Sequence, residues 1–170
     1  MIIRRIVAIL LIGLLGIGSV AGCAGLHLYR SEKQPAPIVI EAPKEMGWTA
    51  TTWEAASTPK YRKVLNQARP KTIIGEVVDV SCYLQLGKRG EAHIPCGQKC
   101  VRNGQPIGIV TDHEHLYLLF VEEHHPRRDG QTSLKDRFVE LIGKRVQVSG
   151  MATTADGYRA LFIRTLPTEQ

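Results

Sequence analysis

Long tracts of one charge are missing from this sequence, and so are the short motifs that most directly declare a chemistry. No run of Lys or Arg forms the basic stripe that tracks a nucleic-acid backbone. There is no Walker loop, no GxGxxG, no HExxH and no Ser-His-Asp arrangement, and the adjacent carboxylates Glu122-Glu123 carry no pocket signal. A CxxC pair is absent, which weakens a thioredoxin-like role, and the lack of CxxCH argues against covalent c-type haem. Aromatic residues make up only 6%, with three Phe, five Tyr and two Trp, so stacking surfaces for single-stranded nucleic acid are few. Nothing here asks for catalysis. What is present fits one ordinary domain with extensions: 170 residues, 44% hydrophobic, too short for a large multi-domain enzyme. That hydrophobic content also excludes a wholly disordered chain and a polytopic membrane protein.

The N-terminus reads as an export segment. Arg4 and Arg5 precede an apolar stretch over 6–20, followed by the small residues Val20-Ala21-Gly22 and then Cys23. The tetrad resembles the lipobox of bacterial lipoproteins, which implies cleavage before Cys23 and a lipid on its thiol. A second reading stands beside it. The stretch without Asp, Glu, Lys or Arg continues through Leu28, long enough to cross a bilayer as an uncleaved anchor. Both readings put the remainder in the bacterial cell envelope, held at the membrane and facing the periplasm or exterior. The formal charge of +6 falls to +4 once Arg4 and Arg5 are set aside, and the remaining basic residues are scattered. A nucleic-acid partner is therefore not expected, and an envelope protein is the more plausible one.

Residues 23–71 read as a tether with local structure. Pro35, Pro37 and Pro43 interrupt regular elements. Thr58-Pro59 signals a short helix with Tyr61, Val64, Leu65 and Ala68 on one face, ended by Pro70. Trp48 and Trp53 are expected to anchor the tether on the domain.

From residue 72 onward the pattern is that of a mostly β domain. Strands are predicted over 72–80, 107–111 and 116–122, with the polar turn Asp112-His113-Glu114-His115 between the last two. Ser133-Leu134-Lys135-Asp136 resembles a capping box, and Leu134, Phe138, Leu141 and Ile142 form the apolar stripe of a helix that Gly143 ends. Strands over 144–152 and 158–165 follow, joined by the turn Ala155-Asp156-Gly157. The order β-β-β-α-β-β, with the junction Leu141-Ile142-Gly143-Lys144-Arg145-Val146, resembles the OB-fold, in particular small exported bacterial versions akin to anticodon-binding-like domains. The resemblance implies a five-stranded barrel over residues 72–170, and it implies fold rather than activity. Its expected core is Ile74, Val78, Ile109, Leu118, Phe120, Phe138, Val146, Val148, Phe162 and Ile163.

Between the first two barrel strands lies an insertion over 82–104. Cys82-Tyr83 is followed by His93-Ile94-Pro95-Cys96 and Cys100, then by Gly104-Gln105-Pro106. The pattern resembles exported bacterial proteins with Cys-Tyr after the first strand and His-x-x-Cys-x-x-x-Cys before Gly-x-Pro, a resemblance that implies no reaction. Pro95 and Asn103-Gly104 bracket a short helix over 96–102. Cysteines four apart on it would share a face. His93 precedes that helix, and Cys82 is expected at the end of a strand on the barrel rim. Three sulfurs and an imidazole suit a four-coordinate zinc site of the Cys₃His type, and thiolates also suit copper or iron.

Oxidation is the alternative. An exported chain favours a disulfide from Cys82 to Cys96 or Cys100, with one thiol left over. A redox thiol at Cys96, near a helix N-terminus with Lys99 and Arg102, is the third possibility. A weaker second metal edge is conceivable at His113, His115, His124 and His125, although such clusters are usually solvated turns. The function expected from the sequence is a membrane-tethered envelope protein with a metal site and a non-enzymatic role, in metal binding or in docking on an envelope partner. A disulfide-stapled OB module for a protein or saccharide ligand is the alternative.

Overall fold

The computed structural model describes residues 34–122 and 133–167. The export segment, Cys23, His124 and His125 lie outside the described residues. Among the described residues no helix is long and apolar enough to cross a membrane.

Five strands close the barrel: β2 (Arg69–Asp79), β3 (Ile107–Thr111), β4 (Leu116–Val121), β5 (Arg145–Ala155) and β6 (Tyr158–Ile163). β2 pairs antiparallel with β3, β3 with β4, and β5 with both β2 and β6, while β4 and β6 run parallel. The circuit β5-β2-β3-β4-β6 returns to β5, so no barrel edge is left open. This is the OB-like barrel that the order of elements predicts. The short strand β1 (Ile38–Val39) adds outside it, parallel to β5.

The eleven-residue strand β5 serves both closures, pairing with β2 through its first eight residues and with β6 through its last five, so that Met151 and Ala152 take part in both. Gly150 sits where the two meet. A Cβ there would strike the Phe162 carbonyl, so only glycine lets the strands approach.

The barrel interior is filled by Ile73, Val77, Ile109, Leu119, Val146, Val148, Leu161 and Ile163. One end is stoppered by helix α5 (Leu134–Phe138) and the 3₁₀ turn Val139–Leu141 after it, which add the fully buried Phe138 and the buried Leu141 and Ile142. Gly143, at φ +76°, reverses the chain as the sequence predicts, and its N–H donates to the Val77 carbonyl at 2.8 Å.

Six of the ten expected core residues are buried: Val78, Ile109, Phe138, Val146, Val148 and Ile163. Four are not. Ile74 and Phe120 are 37% and 43% exposed, and Leu118 and Phe162 are half-buried. Their neighbours Ile73, Leu119 and Leu161 point inward instead. Successive side chains on a strand alternate faces, and 116–121 is apolar at every position, so the sequence carries no parity there.

Residues 34–71 pack onto the barrel as part of the same compact unit. Two short helices lie in this stretch, α1 (Ala50–Ala55) and α2 (Pro59–Gln67), the latter capped by Thr58 with Pro59 in its first turn. Trp48 is an anchor: its Nε1–H donates to the Leu65 carbonyl at 2.9 Å, and its ring meets Phe162 edge-on at 5.3 Å. Trp53 is not, because no residue of α1 is buried. A second clasp is Glu122, 3% exposed, whose carboxylate accepts from the Thr49 N–H at 2.7 Å, from the Thr49 and Thr52 hydroxyls, and from Arg164.

Candidate metal centre

The insertion between β2 and β3 is two helices rather than one. Helix α3 (Val80–Leu86) begins directly where β2 ends, and helix α4 (Ile94–Arg102) follows a 3₁₀ turn over Glu91–His93. Cys82 therefore sits in the first turn of a helix and not on a strand end. Asp79 makes the difference. Its Oδ1 accepts from the Ser81 and Cys82 backbone N–H groups at 3.0 and 3.4 Å, an N-cap that starts α3. Gly87, at φ +63°, ends it in the left-handed conformation. Both signals stand in the sequence, an Asp before a stretch free of Gly and Pro and a Gly after it.

The insertion is pinned to the barrel at several points. The Gly90 N–H donates to the Glu76 carboxylate on β2, and the Val80 N–H donates to the Pro106 carbonyl at 3.0 Å. Helix α4 turns Gly97 and Val101 inward, the latter fully buried. A Cβ at Gly97 would lie 2.8 Å from the Ile142 Cγ2 and 3.4–3.5 Å from the His93 ring. Glycine thus lets α4 lie against both the barrel stopper and the imidazole. Gln98 and Arg102 bind Glu140 at 3.2 and 2.5 Å on the outer side.

This packing gathers the expected ligands into two overlapping triads. Cys82, His93 and Cys96 form one, with one ligand atom from each within 4.8 Å of the others. Asp79, Cys82 and Cys100 form the second by the same measure, so Cys82 is shared. Cys100 thus joins the group around Asp79 rather than the group around His93. Asp79 is the participant that the sequence reading did not single out. Among the described residues the cysteines are free, Cys96 exposed and Cys82 and Cys100 half-buried.

Two buried polar atoms in this cluster lack any hydrogen-bond partner, His93 Nε2 and Asp79 Oδ2. His93 is 6% exposed and Asp79 fully buried. Such atoms are rare, because each has given up water without replacement, and they call for a missing donor, proton or ion.

The thiols are also distinctive. Cys82 is pushed up to about 12, chiefly by its S–H interaction with the Asp79 carboxylate, then by burial and by the Asp79 charge, with Cys100 adding to the effect. No group stands in hydrogen-bond geometry to Oδ2, so the thiol's contact with the carboxylate is a weak one. Burial is the main cause that raises Cys100 as well. A thiol held up in this way is a poor nucleophile in the metal-free protein. A bound cation reverses this balance by taking the thiolate as ligand and releasing the proton.

His113 and His115 do face each other across their turn, with ring centroids 6.5 Å apart. Both are exposed, and among the described residues no group of three or more metal-ligating side chains includes them. Their turn is held by other charges, Asp112 to Arg145 and Glu114 to Arg89.

The chain matches no family model, no curated protein and no solved structure.

Proposed function

We propose that this chain is a membrane-tethered protein of the bacterial cell envelope, lipidated at Cys23 or anchored by its uncleaved N-terminal apolar segment. Its OB-like domain binds a metal ion through the cluster that Cys82, His93, Cys96 and Cys100 form, with Cys82, His93 and Cys96 as the close triad and Cys100 beside Cys82 and Asp79. The role is non-enzymatic: holding metal, or docking on an envelope partner in a metal-dependent form.

The observation that carries this reading is the buried His93 Nε2, without a hydrogen-bond partner and in a triad with the thiols of Cys82 and Cys96. Imidazole and thiolate together suit zinc best among common ions, and copper or iron would also accept them. A small insertion that buries little apolar surface of its own gains order from such a site. Oxidation competes for the same sulfurs, since Cys82 belongs to a close triad with each of the other two thiols.

Metal analysis of protein purified without oxygen is the test. Stoichiometric zinc, copper or iron in the wild type, reduced in Cys96→Ser, is the expected result. Metal-free wild-type protein whose intact mass is two hydrogens short, with one alkylatable thiol, would replace this reading with the disulfide-stapled binding module.

A further inference from the structure

We infer that Cys82 is a bridging ligand and that the cluster holds a pair of divalent cations. The outer one lies in the Cys82–His93–Cys96 triad and the inner one in the Asp79–Cys82–Cys100 triad. This rests on the reading above that the thiols hold metal, and it adds a second cation position with Asp79 as its hard-oxygen ligand.

The argument begins with the orphaned atoms. Each triad contains one buried polar atom with no partner, His93 Nε2 in the first and Asp79 Oδ2 in the second. An ion confined to the outer triad satisfies the imidazole and leaves the carboxylate oxygen stranded. An ion confined to the inner triad does the reverse. Two ions satisfy both.

Cys82 is the only side chain common to the two groups, with its sulfur within 4.8 Å of a ligand atom from each of the other four residues. A thiolate sulfur has lone pairs enough to serve two metals. Charge agrees with the count. Cys82, Cys96 and Cys100 as thiolates, with the Asp79 carboxylate, carry four negative charges, and His93 binds as the neutral imidazole. Two divalent ions neutralise that set, whereas a single ion in the outer triad leaves the charge of the fully buried Asp79 uncompensated. The donors are mostly sulfur and nitrogen with a single oxygen, which selects borderline and soft divalent ions such as zinc or cadmium over magnesium or calcium.

The local structure holds Asp79 ready for this role. Its Oδ1 is engaged in capping α3, so the carboxylate is fixed in orientation and Oδ2 is left free. Asn at this position keeps the capping oxygen and removes the charge. That separates the metal role from the structural one.

The test titrates Zn²⁺ into the untagged full-length chain under anaerobic, reducing conditions and counts bound ions by native mass spectrometry. Two equivalents are expected in the wild type and one each in Asp79→Asn and His93→Gln, with Cys82→Ser weakening both positions. Independently of any variant, ¹¹³Cd NMR of the wild type should show two resonances at thiolate-type shifts. One equivalent and one resonance in the wild type would overturn the bridged pair while leaving a single metal site standing. Two equivalents that survive Asp79→Asn unchanged would place the second ion elsewhere and also overturn it. No bound metal would remove both this inference and the reading on which it rests.

Discussion

At the scale of single residues, the informative side chains are polar ones in places where polar groups are costly. His93 and Asp79 are buried with an atom unpartnered, and Glu122 is buried with every oxygen engaged. The first two belong to a site that needs an ion, and the third is a structural clasp. Replacing His93 by Ala should weaken zinc binding by more than the roughly 10–100-fold typical of losing an outer-shell partner, read by competition with a chromophoric chelator. Unchanged affinity would remove the imidazole from the donor set.

Glu122 makes a different prediction. Burial alone would raise its pKa, but the Thr49 N–H, Arg164 and the Thr52 and Thr49 hydroxyls outweigh that and hold the carboxyl below its ordinary value of 4.5. A depressed folded-state pKa stabilises the fold above the unfolded value, and the contribution disappears as pH falls through the folded value. Urea midpoints should therefore drop below about pH 4.5 more steeply in the wild type than in Glu122→Gln. At pH 7 that variant should be about 2–3 kcal/mol less stable, the size expected when hydrogen bonds to a charged acceptor are lost. Equal acid sensitivity of the two proteins would contradict the assignment.

At the scale of elements, close approach is what glycine and capping residues control. Gly97 brings α4 against Ile142 and His93. Gly97→Ala should cost about 1–3 kcal/mol from overpacking and should also weaken zinc binding, because the clash with Ile142 shifts α4, which carries Cys96 and Cys100, relative to Cys82. Loss of stability with intact affinity would mean that the helix position does not set the site. Gly143 is at φ +76° with Ile94 Cγ1 only 2.6 Å from where a Cβ would stand. Gly143→Ala should destabilise by at least the roughly 1–2 kcal/mol of a left-handed L-residue, measured by thermal melting of the metal-free protein.

The elements were unevenly legible. Thr58-Pro59 announced α2, Gly143 the end of the stopper segment, and Asp156-Gly157 the last hairpin, each through a local rule that tertiary context did not override. Helix α3 was missed although Asp79 and Gly87 bracket it, because the β-branched residues of β2 run directly into its first turn. The face of β4 is misread from the sequence because apolar residues occupy both of its sides. For the same reason both Phe162 and Ile163 of β6 are expected inside, although only Ile163 is buried.

At the scale of the whole molecule, the barrel is closed by pairing residues 69–76 with 145–152, far apart in sequence. The cluster sits on the insertion between the first two barrel strands, against the stoppered end. Metal that binds only the folded form must therefore stabilise the entire domain. At a free concentration of a hundred times its dissociation constant, one zinc ion adds about 2.7 kcal/mol. The melting temperature should rise by roughly 5–15 °C and fall back on adding a chelator. A zinc-independent melting curve would show that the folded state gains nothing from the ion.

The sequence by itself determined the class of fold, the position of the insertion and the residue types able to bind metal. Those depend on local propensity, hydrophobic period and side-chain chemistry, all of which are carried by neighbours along the chain. Only the tertiary structure decided which face of each strand turns inward. It alone brought Asp79 into the cluster and divided the cysteines around a shared Cys82. Those outcomes depend on how barrel closure and the docking of α4 set distances between residues remote in sequence, and no local pattern records such distances.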